Sequence, residues 1–310
     1  MDESYHKPVL LDEVIDYLVT NIDGIYVDCT LGGGGHTLRI LEVTKGKSKV
    51  VGFDDDIDAI KHVEQINTLY KDSLILINDN FVNLKTEISK LGFFNKISGF
   101  LFDLGVSSFQ LDNKDKGFTY REDVVLDMRM NKNKGIPASE VINTYSEKEL
   151  ERVFREYGEE KKAKLIAKRI VEFRRLKSIK NSDDFVNILK NFYRSSELNK
   201  NLSRIFQALR IEVNNELENL SQALKDCVEN LITGGRLVVI SYHSLEDRIV
   251  KNFFRDYSRK CNCPPNFPEC MCGAIEKLKI ITKKPITPKK EELLSNIRSR
   301  SAKLRVAEKI

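Results

Sequence analysis

Two features near the start of the chain have the composition of a nucleotide-binding site. The first is a run of four glycines, Gly32–Gly35, followed by His36 and Thr37. Glycine lets the backbone approach a ligand closely, and the amide groups that open a following helix favour a carboxylate or a phosphate. The second is Asp54, 26 residues after Asp28, where an acidic side chain can accept hydrogen bonds from both hydroxyls of a ribose. Together they indicate a nucleotide-like ligand.

The glycine-rich turn departs from the dinucleotide fingerprint. Read from Gly32, the pattern G-x-G-x-x-G requires a third glycine at the position of Thr37. Asp54 is placed equally well for NAD and for S-adenosylmethionine. Phe81 is a candidate to stack on an adenine, although a single phenylalanine more often belongs to the core. These residues disfavour NAD as the ligand but do not by themselves select S-adenosylmethionine.

Four cysteines towards the end of the chain raise the question of a metal site. Cys261 and Cys263 form one C-x-C pair, and Cys270 and Cys272 form another, all within 12 residues. Four thiolates can bind zinc tetrahedrally, but these pairs are more closely spaced than the usual C-x₂-C. The alternatives are a reduced loop and an oxidation-prone loop, and we predict no metal here.

A scaffold of alternating strands and helices must position these residues. Short runs rich in Val, Ile, Leu and Phe predict buried strands at 24–30, 49–56, 73–79 and 97–105. Apolar residues at helical spacing between them predict helices at 38–43, 58–70 and 81–91. This alternation is typical of an α/β fold with a parallel, doubly wound sheet, which binds ligands at the carboxyl ends of its strands.

The middle of the chain has a different pattern. Residues 146–231 are rich in Glu, Lys, Leu, Ile and Arg, with three early amphipathic helices and with Ser182 and Asp183 as caps. We predict a helical domain at 111–211, inserted into a domain formed by 1–110 and 212–310. A long crossover helix at 210–232 and a returning strand at 234–244 follow. An antiparallel pair at 277–283 and 302–308 closes the sheet.

The charge is concentrated at the end of the chain. Lys277–Ile310 holds 11 basic and 3 acidic residues, so the remainder carries 40 basic against 43 acidic residues. A basic segment attracts phosphate backbones, although a solvated charged face is an equal alternative. The chain shows no apolar run of 18 residues and no signal pattern, and we expect a soluble, cytoplasmic protein without a membrane partner.

Six blocks in order resemble one known family. They are DCTLGGGGHT, FLFDLGVSS, GFTY followed by LDMRMN, ISYHSLEDR, CNCPPNFPECMCG and RSRSAKLRVAEK. Together they resemble the bacterial MraW family of small-subunit ribosomal RNA (cytosine-N(4))-methyltransferases. The resemblance implies a class I, Rossmann-like methyltransferase sheet with an inserted helical domain that recognises the substrate. It also implies S-adenosylmethionine as cofactor and 16S ribosomal RNA, within the small ribosomal subunit, as partner. Formation of a homodimer is a further possibility that the resemblance does not decide.

The resemblance also implies site residues. The matching positions imply cofactor contacts at Gly34, Gly35, His36, Asp54, Phe81, Asp103 and Gln110. Two departures lie around the substrate edge: Phe109 stands where the family has proline, and Val124-Val125 stands where it has Gly-Pro. They leave the cofactor assignment intact and bear on the shape of the local loops.

The reaction implied by the resemblance requires help from the protein. The 4-amino group of cytosine is a poor nucleophile because its lone pair is delocalised into the ring. A hydrogen-bond acceptor can localise that pair and aim it at the methyl group. We expect Asp103, or a backbone carbonyl in 104–107, to be this acceptor, although an Asp here is also a common turn residue. Ser107 and His243 are second candidates to orient the base or receive its proton.

Other reactions and roles compete with this one. Methylation at carbon 5 of cytosine requires a cysteine nucleophile, typically after a proline, and none of the seven prolines precedes a cysteine. Ribose 2′-O methylation is disfavoured only by the resemblance. A nicotinamide-dependent oxidoreductase and a non-catalytic RNA-binding factor remain as other classes. For RNA binding, the basic residues to test are Arg298, Arg300, Lys303 and Arg305.

Overall fold

The computed structural model describes residues 8–261 and 276–310, which divide into two compact units. The first comprises the described residues of Met1–Gly105 and Leu217–Ile310, and the second is Val106–Glu216. The second unit starts at 106 where the sequence pattern suggested 111, and it ends at 216 where the pattern suggested 211.

A seven-stranded sheet with the order β3-β2-β1-β4-β5-β7-β6 runs through the first unit. The strands are β1 (Ile25–Asp28), β2 (Lys49–Phe53), β3 (Leu74–Ile77), β4 (Ile97–Asp103), β5 (Leu231–Ser241), β6 (Leu278–Ile280) and β7 (Lys303–Lys309). All neighbours among β1–β5 are parallel, and β7 is antiparallel to both β5 and β6. The predicted α/β class, Rossmann-like with a mostly parallel sheet, is confirmed, as is the antiparallel pair that closes it.

Both faces of the sheet are buried, which explains the continuous apolar runs of its strands. On β4, Phe100 and Phe102 belong to a cluster on one face that includes Leu224. Leu101, between them, belongs to a second cluster that includes Leu18. The helices of this unit are α1 (Leu11–Leu18), α2 (Gly35–Val43), α3 (Ile57–Ile66), α4 (Leu84–Lys90), α11 (Glu216–Asn230), α12 (Ser244–Tyr257) and α13 (Lys290–Ser295).

The described part of the second unit is helical and has its own core. Its helices are α5 (Ser108–Asp112), α6 (Ala138–Thr144), α7 (Glu147–Glu156), α8 (Ala163–Arg174), α9 (Ser182–Leu189) and α10 (Ser195–Asn214). The rings of Phe185 and Phe206 lie 5.6 Å apart in this core. The predicted caps of α9 were wrong by one residue or more: the N-cap is Asn181, whose side chain accepts from the backbone N–H of Asp184.

The prediction of a single crossover helix at 210–232 is also wrong. The chain forms two helices, because α10 stops at Asn214 and α11 starts at Glu216. Asn215 between them has φ 50° and ψ 36°, the left-handed conformation that asparagine tolerates better than most residues. The two helices belong largely to different units, and Asn215 lies one residue before the last residue of the second unit.

Within the described residues, none of the helices combines the length and the apolar character that a membrane span requires.

Candidate cofactor and methyl-acceptor site

The order of strands in the sheet reverses beside β1. From β1 the chain proceeds outward through β2 and β3, and β4 then pairs with the other side of β1. Ligands of open α/β sheets bind in the crevice at such a switch point, outside the carboxyl ends of the strands. Backbone hydrogen bonds continue past the strands at this edge: Leu31 N donates to Phe53 O over 2.8 Å, and Leu104 N to Ile240 O over 3.0 Å. They hold the candidate residues in a continuous frame.

The glycine-rich turn occupies the carboxyl end of β1. Gly34 has φ +75°, and a Cβ atom there would lie 2.7 Å from Cγ2 of Val63. A Cβ on Gly35 would lie 2.9 Å from Cγ of Pro8. No side chain caps the start of α2 at Gly34. The turn is therefore compact, and it presents the first amides of α2 to a ligand, as an anionic group requires.

Asp54 is attached to this turn. Its Oδ2 accepts from the backbone N–H of Gly32 over 2.8 Å, and its Oδ1 accepts from that of Asp56 over 2.8 Å. Burial raises the pKa of Asp54 to about 7, although both backbone donors act in the opposite direction. The carboxyl group is thus oriented before any ligand binds, and it changes its charge close to neutral pH.

Thr37, which breaks the dinucleotide fingerprint, has a structural role. Its hydroxyl donates to Oδ2 of buried Asp28 over 2.7 Å, and Oδ1 of Asp28 accepts from the N–H of Thr30 over 3.1 Å. The two hydrogen bonds tie the first turn of α2 to the end of β1. A glycine at 37 could not make the first of them.

His36 is buried beside Asp103. Its Nε2 lies 3.0 Å from the carbonyl oxygen of Val9. Since a carbonyl only accepts, Nε2 carries a hydrogen, and Nδ1 faces Oδ2 of Asp103 at 3.8 Å. Burial lowers the pKa of His36, which favours the neutral ring. The hydrogen bond to Val9 therefore fixes the ring, and its unprotonated Nδ1 lies beside Asp103 without a hydrogen bond between the two groups.

Asp103 is held from two neighbouring strands. Its backbone N–H donates to Oγ1 of Thr30 over 2.6 Å, and its Oδ1 accepts from the hydroxyl of Tyr242 over 2.7 Å. Burial and the charge of Asp103 raise the pKa of Tyr242 well above its usual value, so the hydroxyl stays protonated as a donor. The Asp103 side chain is 11% exposed. Its carboxylate is thus oriented at the edge of the sheet.

Tyr242 and Thr30 are two residues that sequence reasoning missed. The available signal was position: Asp103 is in register with Ile240 of β5, and Tyr242 follows two residues later on the same side of the chain. Thr30 likewise comes two residues after the end of β1. Both are ordinary residues in sequence, and only the pairing of β4 with β1 and β5 makes them partners of Asp103.

His243 is the N-cap of α12. Its Nδ1 accepts from the backbone N–H of Glu246 at 3.4 Å, and Oε2 of Glu246 accepts from the backbone N–H of Tyr242 at 2.8 Å. Glu246 is buried. This gives His243 a structural role at the end of β5, close to Tyr242, beside the expected role in proton transfer.

Phe81 follows β3 and is partly buried. Its ring makes an edge-to-face contact with Phe102, with centroids 5.4 Å apart and an angle of 83°. It packs against the core cluster of β4 while remaining accessible in part. Its position at the edge of the sheet is compatible with both core packing and stacking on an adenine.

Ser107 and Gln110 belong to the second unit, where they form a capping box. Ser107 Oγ accepts from the N–H of Gln110 over 3.2 Å, and Gln110 Oε1 accepts from the N–H of Ser107 over 3.0 Å. This capping box gives both Ser107 and Gln110 a local role within their unit.

Two residues that depart from the family pattern also lie in this unit. Val124 is buried and donates its N–H to Oγ of Ser182 over 3.0 Å, while Val125 is exposed.

Most of the cysteines considered for a metal site are not described by the structure. Cys263, Cys270 and Cys272 lie outside the described residues, so the predicted absence of a metal stays a prediction; Cys261 is exposed.

The basic residues proposed for RNA binding differ in exposure. Arg298 and Arg300 are exposed. Arg305 is only 8% exposed, and its Nε donates to Oδ1 of Asp247 over 2.7 Å. Arg305 is therefore a poor candidate for a contact with RNA.

The chain has many relatives over its full length. A family model described as the MraW methylase family matches residues 3–310. A protein of Fusobacterium nucleatum named ribosomal RNA small subunit methyltransferase H is 47% identical, with 99% of this chain and 97% of the relative covered. One of Caldicellulosiruptor saccharolyticus with the same name is 49% identical, with coverage of 98% and 99%. An rRNA methylase structure from Streptococcus thermophilus aligns with 14% identity and a TM-score of 0.43, covering 97% and 93%, a likeness too low to support an argument.

Proposed function

The chain belongs to the MraW methylase family, and from this premise we propose that it methylates the exocyclic 4-amino group of a cytosine in the decoding region of 16S ribosomal RNA. It is an S-adenosylmethionine-dependent methyltransferase that acts on ribosomal RNA. The observation that supports modification of the 4-amino group is the position of Asp103, a carboxylate that Tyr242 holds at the carboxyl end of β4.

The residues of the first unit fit S-adenosylmethionine. The crowded turn at Gly34 and the uncapped start of α2 suit a carboxylate, and Asp54 suits the two hydroxyls of a ribose. His36 and Phe81 are proposed as further contacts, and the proposed contact of Gln110 rests on the family pattern alone. When bound, the cofactor supplies an electrophilic methyl group on a sulfonium.

Asp103 is proposed to prepare the nucleophile. A carboxylate that accepts a hydrogen bond from the 4-amino group pulls electron density towards nitrogen and fixes its direction. Tyr242 occupies Oδ1 and thereby orients the carboxylate, so little reorganisation is needed when the base arrives. Neutral His36 beside Oδ2 places no positive charge there that would compete with the amino group for the carboxylate.

The proton that leaves the amino nitrogen requires an acceptor. Asp103 is the first candidate because it accepts a hydrogen bond from that nitrogen in the proposed arrangement. Ser107 and His243 are the second candidates, and both side chains also cap helices. We propose the second unit and the basic carboxyl-terminal residues as the parts that hold structured RNA.

The identity of the modified atom is the direct test. Small ribosomal subunits from cells that lack this enzyme are incubated with the purified full chain and deuterium-labelled S-adenosylmethionine, and the digested nucleosides are identified by mass spectrometry. We expect labelled N4-methylcytidine, and mass mapping of oligonucleotide fragments from the same RNA should place the label at one cytosine of the decoding region. Labelled 5-methylcytidine or a 2′-O-methylated nucleoside would overturn the proposal, and an unlabelled digest would exclude methylation of this substrate.

A further inference from the structure

A cavity of about 290 Å³ lies at the start of α12 in the first unit. Tyr242 and His243 line one side, and Arg300, Ser301 and Lys303 line another. The volume is several times the roughly 30 Å³ that one water molecule occupies in the liquid, so it can hold a tetrahedral anion with some of its hydration. The cavity is distinct from the glycine-rich turn that is proposed to hold the cofactor.

The charged groups that line the cavity are all cationic. They are Arg300 and Lys303, and the described residues that line the cavity include no Asp or Glu. Lys303 Nζ is shared with Oδ2 of Asp247 at 3.3 Å. Arg300 is exposed and has no ion pair among residues 8–261 and 276–310, so its full charge faces the cavity region. The lining therefore favours an anion.

Polar groups supplement the two cations. Ser301 and Thr287 contribute hydroxyl groups to the lining, and the 14-residue helix α12 places its positive end there. The His243 side chain is 10% exposed, and within the described chain its Nε2 has no hydrogen-bond partner. That atom lies 3.0 Å from Oε1 of Glu246, but outside hydrogen-bond geometry. That nitrogen is buried and faces a carboxylate, so the contacts offered to an anion come from Arg300, Lys303 and the two hydroxyl groups.

The position of the cavity relates it to the proposed reaction. Tyr242 lines it and also donates its hydroxyl to Asp103, the proposed contact of the methyl-accepting amino group. One tyrosine side chain therefore separates the anion site from the site of the target base. In a nucleotide, a phosphate and its base are separated by one sugar, so both sites can hold adjacent parts of one RNA strand.

We propose that this cavity binds a phosphodiester group of the RNA substrate next to the target nucleotide, with Arg300 as the principal contact. The inference rests on the proposed function for the nature of the substrate. A backbone phosphate fixes the strand without reading its sequence, which leaves recognition of the cytosine to the site at Asp103.

The test compares Arg300→Gln with Lys71→Gln as a matched control. Lys71 is an exposed lysine at the amino end of β3, opposite the edge that holds the site. Binding of the fluorescently labelled full chain to small subunits that lack the methylation is measured over a series of KCl concentrations. Removal of one phosphate contact should reduce the slope of log K against log salt by about 0.7–0.9. The affinity should fall about fivefold at the lowest salt.

We expect these changes for Arg300→Gln and none for Lys71→Gln, with S-adenosylmethionine affinity and thermal midpoint unchanged in both. Equal slopes for Arg300→Gln and the wild type would overturn the proposal. A second result would also overturn it. If inorganic phosphate at matched ionic strength raises the thermal midpoint of the wild type but not of Arg300→Gln, while Arg300→Gln still binds subunits like the wild type, the cavity takes a small anion and not the RNA backbone. The slope does not depend on which atom is methylated, so failure of the proposed function would appear separately, in the nucleoside analysis.

Discussion

The hydroxyl of Tyr242 donates a 2.7 Å hydrogen bond to Oδ1 of Asp103, and this contact joins the carboxyl ends of β5 and β4. The residues are 139 positions apart in the chain, with the whole second unit between them. The contact sets the direction of a carboxylate at the strand-order reversal of the sheet, and the following predictions start from it.

Tyr242→Phe removes the hydroxyl and keeps the ring. We expect kcat to fall about tenfold or more, because a hydrogen bond to a charged group contributes roughly 1.5–3 kcal/mol and here orients the proposed acceptor. KM for the small subunit and the affinity for S-adenosylmethionine should change less than threefold. Steady-state kinetics and calorimetry measure the three quantities. Tyr257→Phe in α12 is the matched control, and an equal loss in both variants would contradict a positioning role.

Asp103→Ala and Asp103→Asn test the acceptor itself. We expect both to lower single-turnover methylation by more than about a hundredfold, because neither retains a charged acceptor for the amino group. Calorimetry with S-adenosylmethionine shows whether cofactor binding is also affected, as the family pattern implies. Methylation within a few fold of the wild type would remove Asp103 from the mechanism.

Cofactor affinity should depend on the ionisation of Asp54. Its pKa is raised to about 7, and ribose hydroxyls donate preferentially to the ionised form. Affinity should therefore rise as the pH increases towards 7 and level off above it, with a proton released on binding near neutrality. Calorimetry in two buffers of different ionisation enthalpy counts that proton. With Asp54→Asn, the only protons exchanged on binding should be those of the ligand itself. If the variant and the wild type release the same number of protons, Asp54 is not the group that titrates on cofactor binding.

The same pKa shift has a consequence for stability of the protein without ligand. Because the folded pKa of Asp54 lies above its ordinary value, the folded state holds a proton that the unfolded state releases. This contribution to stability is fully present below the unfolded pKa of 3.8 and is lost as the pH rises through about 7. Urea titrations should show a smaller loss between these values for Asp54→Asn than for the wild type.

Gly34→Ala tests the compactness of the glycine-rich turn. The variant combines a positive φ with a Cβ only 2.7 Å from Val63, so we expect S-adenosylmethionine affinity to fall more than about tenfold. Gly92→Ala is a matched control, since Gly92 has φ +72° with nothing within 4 Å of its Cβ position. The control should lose only about 1–2 kcal/mol of stability and retain affinity. Similar affinities in the two variants would contradict a close approach of the ligand at Gly34.

Arg305→Gln should affect stability more than RNA binding. Burial alone would raise the pKa of Asp247, but the hydrogen bonds and charges of Arg305 and Lys303 together outweigh it and lower that pKa. Loss of the arginine leaves a half-buried carboxylate with Lys303 as its remaining partner, and we expect about 2–3 kcal/mol of destabilisation in urea. Arg300→Gln should cost less than about 0.5 kcal/mol in the same measurement. Equal stabilities would show that the Arg305 pair is not structural.

The sequence by itself determined the features that depend on neighbouring residues. Alternation of apolar runs located the strands, because a strand buried on both faces requires them, and the glycines at 32–35 located the turn, because positive φ and close packing exclude other residues. Thr37 excluded the dinucleotide fingerprint, and the ordered blocks identified the family that the full-length match then confirmed.

The tertiary structure decided the contacts between distant residues. The sequence separately marked Asp103 and the SYHS segment, but only the register of β4 against β5 selected Tyr242 rather than His243 as the partner of that carboxylate. Likewise, Arg305 was one of four equivalent basic residues until the pairing of β7 with β5 buried it against Asp247. Strand register is set by the sum of packing across the whole sheet, so no short segment contains the information that fixes such a pair.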